Sequence, residues 1–145
     1  MLVGSAIHKI DPKGRISLPA GYRKELGGSD LIVVPSPTDK ALYVFNPESF
    51  EEWLDSLFDR SGGFNPRSRK DVVIRQRILA SAATLVIDSA GRINIPKEMR
   101  EYAHLNKDVA VAGNYDHIEI WEAELYEEAM SLISDEEFSN FFYTE

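Results

Sequence analysis

Hydrophobic and polar positions switch period repeatedly along this chain, and they do so twice in the same order. At 15–18, Ile16 and Leu18 alternate with Arg15 and Ser17; at 92–95, Ile93 and Ile95 alternate with Arg92 and Asn94. Period two is the mark of a half-buried strand, so both isoleucine pairs are expected inward and both arginines outward. Each run follows a turn. Asp11-Pro12-Lys13-Gly14 sets Asp to bond the backbone ahead, Pro to fix φ, and Gly to take a left-handed end; Asp88-Ser89-Ala90-Gly91 keeps the outer two residues. Each run ends at a proline, Pro19 or Pro96, which suits the first turn of a helix. Further on, the runs 31–34 and 41–45 flank one turn, and 109–113 and 117–121 flank another. Asn46 then caps a helix with Pro47 at its first position. Phe50, Trp53, Leu54, Leu57 and Phe58 form one apolar stripe, repeated by Leu125, Ala129, Leu132 and Ile133 after Trp121.

These are two copies of one pattern. Residues 10–26 align with 87–103 at an offset of 77, with Ile10, Asp11, Gly14, Arg15, Ile16, Pro19 and Arg23 matched by Ile87, Asp88, Gly91, Arg92, Ile93, Pro96 and Arg100. Residues 41–53 then parallel 117–129, with Phe45 opposite Trp121. Each copy reads as strand, turn, strand, short helix, strand, turn, strand, longer helix. So few short elements make a poor core alone, and two copies are expected to complete each other. The expected fold is α+β: a mixed β-barrel of two interleaved, pseudo-symmetric halves with flanking helices. The expected organisation is one compact domain over 1–145. It divides into a first repeat at 1–60, a linking helix at 61–80, and a second repeat with C-terminal helices at 81–145.

Three segments lie outside the repeat logic. Residues 81–87 are nearly apolar on both faces, which predicts a strand covered on both sides. Pro66 is expected to open a middle helix carrying Arg67, Arg69, Lys70, Arg75 and Arg77. That helix is either an auxiliary phosphate-contacting surface or a linker packing Val72, Val73, Ile78 and Leu79 inward while its cations meet acids on its own or a neighbouring subunit. Ser134 and Glu137 have capping-box spacing, and Phe138, Phe141 and Phe142 follow on one face, predicted to dock on this chain or a neighbour.

Charge changes the picture less than its total suggests. The 145 residues carry 16 Lys and Arg against 24 Asp and Glu, a net of −8. Nine of those acids fall in 119–145, which has no Lys or Arg, so residues 1–118 hold 16 bases and 15 acids, a net of +1. Local potential, not whole-chain charge, governs contact with an anionic partner. Cysteine is absent, which removes disulfides and thiolate chemistry. His8, His104 and His117 lie too far apart in sequence for a metal site. No nucleophile–base pair or phosphate loop is present, so no enzyme, cofactor or small-molecule substrate is expected. The N-terminus lacks a charged-then-apolar leader, and no run is long enough to span a bilayer, so a cytoplasmic location is expected.

The boxes carry the candidate chemistry. An arginine just after a tight turn sits on stiff backbone, and its planar fork can pair with guanine O6 and N7 or with phosphate. Lys13, at the turn tip, suits a phosphate contact. The candidate DNA-binding residues are therefore Lys13, Arg15 and Arg92, with Asp11, Gly14, Asp88 and Gly91 as the structural turns. A salt bridge between Asp and Arg that merely pins each hairpin stays open. Arg23 and Arg100 are expected to pair with Glu25, Glu98 or Glu101. Ala90 stands opposite Lys13, so the first box should contribute more.

Residues 1–19, then 87–96, then 112–121 resemble the MraZ family of bacterial transcriptional regulators, within the AbrB-like swapped-hairpin superfamily. The resemblance covers nearly the whole chain and rests on the two DxxxR boxes. It implies a nucleoid-associated, ring-shaped homo-oligomer that binds double-stranded DNA. It further implies a repressor acting on repeated promoter boxes of cell-division and cell-wall genes. An antitoxin-like protein-interaction module is the alternative.

Overall fold

The computed structural model describes residues 1–143; residues 144 and 145, assigned by sequence to the second repeat, lie outside the described residues. The first copy folds as β1 (Ser5–Lys9), β2 (Arg15–Ser17), α1 (Ala20–Leu26), β3 (Asp30–Pro35), β4 (Leu42–Phe45) and α2 (Pro47–Ser56). After α3 (Arg69–Ser81) the second copy repeats the order. It runs β5 (Ala83–Val86), β6 (Arg92–Asn94), α4 (Lys97–Tyr102), β7 (Asp108–Gly113), β8 (Ile118–Glu122) and α5 (Ala123–Met130), then α6 (Asp135–Phe141).

The copies exchange strands. β1 pairs with β7 and β5 with β3, so each copy's first strand completes the other's hairpin. β4 pairs with β8 at the centre, giving a six-stranded sheet ordered β1-β7-β8-β4-β3-β5. β2 and β6 form a separate two-stranded ribbon. Exchanging the copies maps this order onto its own reverse, which is a pseudo-twofold axis between β4 and β8. Every pairing among the named strands is antiparallel, where a mixed arrangement was expected. The reason lies in the swap, since each borrowed strand runs against its host.

Side-chain alternation gives the sheet two apolar faces. One face, with Val33, Val44, Val109, Val111, Ile118 and Ile120, packs on Ile16, Leu18, Ile93 and Ile95 of the ribbon segments. On the other face, Val34 and Phe45 meet Phe50 and Leu54 of α2, and Ala110 and Trp121 meet Leu125 and Ala129 of α5. The ribbon and the long helices thus lie on opposite faces of the sheet.

Helix starts follow their local chemistry. Asn46 Oδ1 accepts from the Ser49 amide at 2.8 Å, with Pro47 opening α2. Ser134 and Glu137 form the expected capping box of α6. α3 starts later than expected, capped by Ser68 instead of opening at Pro66, because the Ser68 side chain accepts from the Asp71 amide.

Four packing expectations need correction. β5 is an edge strand, so only Leu85 of it is buried and Val86 faces outward. Within α3, Ile78 packs on the α2 cluster, but Val72, Val73 and Leu79 are exposed, because the helix touches the body along one narrow line. α5 ends at Met130, which leaves Leu132 and Ile133 beyond the helix and exposed. Phe138 and Phe141 each pack edge-on against Phe142 and all three stay exposed, so of the two expected docks, this chain or a neighbour, the first is not the one used.

Candidate nucleic-acid interface

Each box is closed by its own aspartate in the same way. Asp11 Oδ1 accepts from the amides of Lys13 at 3.0 Å and Arg15 at 2.8 Å, and its Oδ2 accepts from Arg15 Nε at 2.6 Å. Asp88 Oδ1 accepts from the amides of Ala90 and Arg92, both at 2.9 Å, and its Oδ2 from Arg92 Nε at 3.0 Å. The amide of the box arginine, above all, holds each carboxyl below the ordinary aspartate range, and the guanidinium adds to this against the cost of burial. The hairpin-pinning salt bridge is therefore present at both boxes. It fixes the plane of each guanidinium through Nε without removing it from solvent, since both side chains remain about a third exposed, at 34% and 36%.

The ribbon sets the two boxes side by side. Ile16 faces Ile93 in register, and both are fully buried. Arg15 then pairs across to Asn94, and Ser17 to Arg92, so these four side chains share the outward face. A two-stranded antiparallel ribbon is narrow enough to enter a major groove.

Across the copies, the glycine of each box lies under an arginine of the other. A Cβ at Gly14 would lie 2.6 Å from Arg100 Nε and 2.8 Å from the Ile95 carbonyl oxygen; one at Gly91 would lie 2.8 Å from Arg23 Nη1. Both glycines have positive φ, 88° and 77°. The backbone tightens the same contact. Gly14 O accepts from the Ile95 amide at 2.8 Å, and Gly91 O from the Leu18 amide at 3.0 Å. Arg100 donates through Nε to the Ile95 carbonyl and through Nη1 to that of Pro12.

This placement corrects the expected partners of Arg23 and Arg100. Among the described residues neither forms an ion pair with Glu25, Glu98 or Glu101. Glu25 takes the Met1 amino group, and Glu101 takes Lys97. Sequence reasoning missed that these arginines belong to the boxes; the only signal was that both matched identically between copies. With Arg15 and Arg92 balanced by their aspartates, Lys13, Arg23 and Arg100 are the cations around the ribbon without an ion pair among the described residues. The five cations of 67–77 likewise form no ion pair with acids of this chain among the described residues, although Arg75 lies 3.6 Å over the Phe64 ring.

No group of three or more His, Cys, Asp or Glu among the described residues is placed to hold a metal ion. No helix among the described residues is long and apolar enough to cross a membrane.

Comparison with known proteins bears on what this ribbon is. A family model described as "MraZ protein, putative antitoxin-like" matches residues 1–71 and 78–143. A protein of Desulforapulum autotrophicum named transcriptional regulator MraZ is 36% identical over 140 residues, covering 94% of this chain and 90% of its own. One so named from Mycolicibacterium gilvum is 36% identical over 143 residues, covering 94% and 96%. Another, from Thermoanaerobacter pseudethanolicus, is 40% identical over 129 residues, covering 88% and 85%.

Proposed function

The chain belongs to the MraZ family, and on that premise we propose that it is a transcriptional regulator that binds double-stranded DNA through its β2–β6 ribbon. Lys13 and Arg15 lead the contact, and Arg92 adds a second, weaker one. The observation that carries this reading is the pairing of the two boxes on one outward face, with their arginines aimed by Asp11 and Asp88. A guanidinium held at Nε keeps two terminal nitrogens for guanine or phosphate oxygens. Lys13, exposed at the turn tip, supplies a phosphate contact that sets register.

Family membership supports the finer reading of a repressor acting on repeated promoter boxes ahead of cell-division and cell-wall genes. It also supports a nucleoid-associated ring of copies, in which several weak contacts on one DNA multiply into tight binding. The core shared by ribbon and sheet supports reading residues 1–145 as one domain with a barrel-like interior.

Binding of the protein to DNA from upstream of its own gene, measured over a range of salt, tests the assignment. Arg15→Ala should weaken binding by roughly 5- to 150-fold, more than Arg92→Ala, given about 1–3 kcal/mol for a good bidentate contact. Both variants keep the amide bonds to aspartate, so unfolding midpoints should move little. Undiminished binding by Arg15→Ala sinks its role.

The words "antitoxin-like" in the family description favour a second reading, a module that engages a basic protein through its acidic end. A stable co-purified protein partner, with no DNA affinity at low salt, would decide for it.

A further inference from the structure

We infer that the β2–β6 ribbon reads DNA with a direction: Arg15 and Asn94 form its base-reading end, and Arg92 with Ser17 forms a weaker one. This rests on the DNA-binding reading above and deepens it.

Aligned in sequence, each copy places one distinctive polar residue near its arginine. The first has Lys13 and Ser17 around its arginine, and the second has Ala90 and Asn94. Antiparallel pairing redistributes these residues. The start of β2 lies against the end of β6, so Lys13 and Arg15 of the first copy share one end of the ribbon with Asn94 of the second. The other end collects Ala90, Arg92 and Ser17. Arg100, bonded to the Pro12 carbonyl, adds its charge to the first end, and Arg23, over Gly91, adds its own to the second.

The two ends therefore differ in what they can recognise. Asn94 is exposed on the outward face and uses its side chain in no hydrogen bond among the described residues. Its amide offers a donor and an acceptor side by side, the complement of adenine N6 and N7, as the guanidinium complements guanine O6 and N7. Directly paired strand residues have Cβ atoms about 4.5–5.5 Å apart, so Arg15 and Asn94 can address neighbouring base pairs of one element. Ser17, across from Arg92, has one short hydroxyl that donates or accepts with any base and discriminates little. A backbone with twofold pseudo-symmetry thus presents a face without it, and the preferred element should be non-palindromic.

Selection of bound sequences from a randomised duplex pool, with the parent protein, Asn94→Ala, Ser17→Ala and Ser17→Asn, tests this. The parent should prefer an A·T pair next to its guanine position. Asn94→Ala should lose that preference by roughly tenfold while keeping the guanine preference and its low-salt affinity for random DNA. Ser17→Ala should alter the profile far less than Asn94→Ala does. Ser17→Asn should add a second A·T preference and make the selected element more nearly palindromic. Unfolding midpoints should match the parent, since neither side chain is buried. An unchanged profile for Asn94→Ala, or equal losses for Asn94→Ala and Ser17→Ala, overturns the inference while leaving DNA binding intact. A parent protein that binds no DNA at low salt overturns both.

Discussion

In the second copy His117, just before β8, joins Glu119 and Trp121 on that strand where the first has Ala41, just before β4, with Tyr43 and Phe45, and the two triplets meet across the central ladder. Glu119 pairs in register with Tyr43. Its Oε1 accepts from Trp121 Nε1 at 2.9 Å, and its Oε2 from Asn114 Nδ2 at 2.8 Å and His117 Nε2 at 3.0 Å. His117 Nδ1 lies 2.7 Å from Asp116 Oδ1, and the ring packs at 4.4 Å centroid distance on Tyr43. One side of the pseudo-axis is therefore a buried polar cluster and the other an aromatic one. The same backbone carries both because each is internally satisfied: the rings pack together, and the acid finds three donors. Equivalent folds need equivalent geometry, not equivalent chemistry, and the ribbon's unequal ends repeat that lesson on the other face of the sheet.

Breaking the polar half should cost most. Glu119→Ala removes the partner of two buried donors, His117 and Trp121, and of the exposed Asn114, and removing one member of such a cluster costs about 3 kcal/mol. On the aromatic half, Tyr43→Phe should cost about 1 kcal/mol or less. Equal losses in denaturant midpoints would refute the contrast. pH sharpens it further. Burial opposes the charge on His117, but bonds to Glu119 and Asp116 prevail and hold its pKa above 6.5. Its stabilising contribution is full below that value and is lost as pH rises through the elevated one. Burial likewise opposes the charge on Glu119, and its bonds from His117, Asn114 and Trp121 prevail to hold its pKa below 4.5. That contribution is full above 4.5 and is lost as pH falls through the depressed value, in the range where Asp11 and Asp88 also weaken. Stability from the cluster should therefore plateau between the two ordinary values, and its alkaline decline should flatten in Glu119→Ala.

The next contrast sets the two box glycines against each other. Gly14 and Gly91 share a left-handed backbone, which alone costs an alanine about 1 kcal/mol. Their surroundings differ. A Cβ at Gly14 meets the Ile95 carbonyl at 2.8 Å, and that backbone, fixed by the bond from the Ile95 amide to Gly14 O, cannot swing aside as a side chain can. At Gly91 the three nearest atoms all belong to the Arg23 guanidinium, a flexible end that can swing aside. Gly14→Ala should cost about 2–3 kcal/mol and Gly91→Ala about 1–2 kcal/mol, read from urea midpoints. Gly91→Ala also displaces Arg23, so a drop in its DNA affinity beyond its stability loss would bring that arginine into the interface.

Much of this was legible in the amino-acid order because the local signals agreed. The Asp and Gly of each turn, the alternation at 15–18 and 92–95, and the Asn46–Pro47 start each have one physical solution, and the structure has it. The interleaving of the copies was expected, but several placements set by partners distant in sequence were not. The apolar run at 81–87 could not say whether a second neighbour would cover it, and β5 lies at an edge. Arg23 and Arg100 had glutamates close by in sequence, yet each settled over the opposite copy's glycine. The pairing of Arg15 with Asn94 depends on strand register, which neither copy carries alone.

The smallest effect tests the inequality of the boxes most directly. Ala90 and Lys13 hold the same place in their turns, and each amide donates to the Oδ1 of its box aspartate. Only backbone is engaged there, and Ala90 is exposed, so Ala90→Lys should leave the fold and the unfolding midpoint unchanged. It supplies the second box with the cation it lacks. One added phosphate contact steepens the dependence of log affinity on log salt by about 0.9 for duplex DNA. Affinity at low salt should rise a few-fold, with no change in the selected sequence, because a lysine on phosphate positions without reading. If the salt slope steepens while base preference holds, the boxes differ in charge supply alone at that position, and Asn94 remains the source of direction. If Ala90→Lys leaves the slope unchanged, the second turn does not reach the DNA backbone, and Arg92 must then be placed outside the interface.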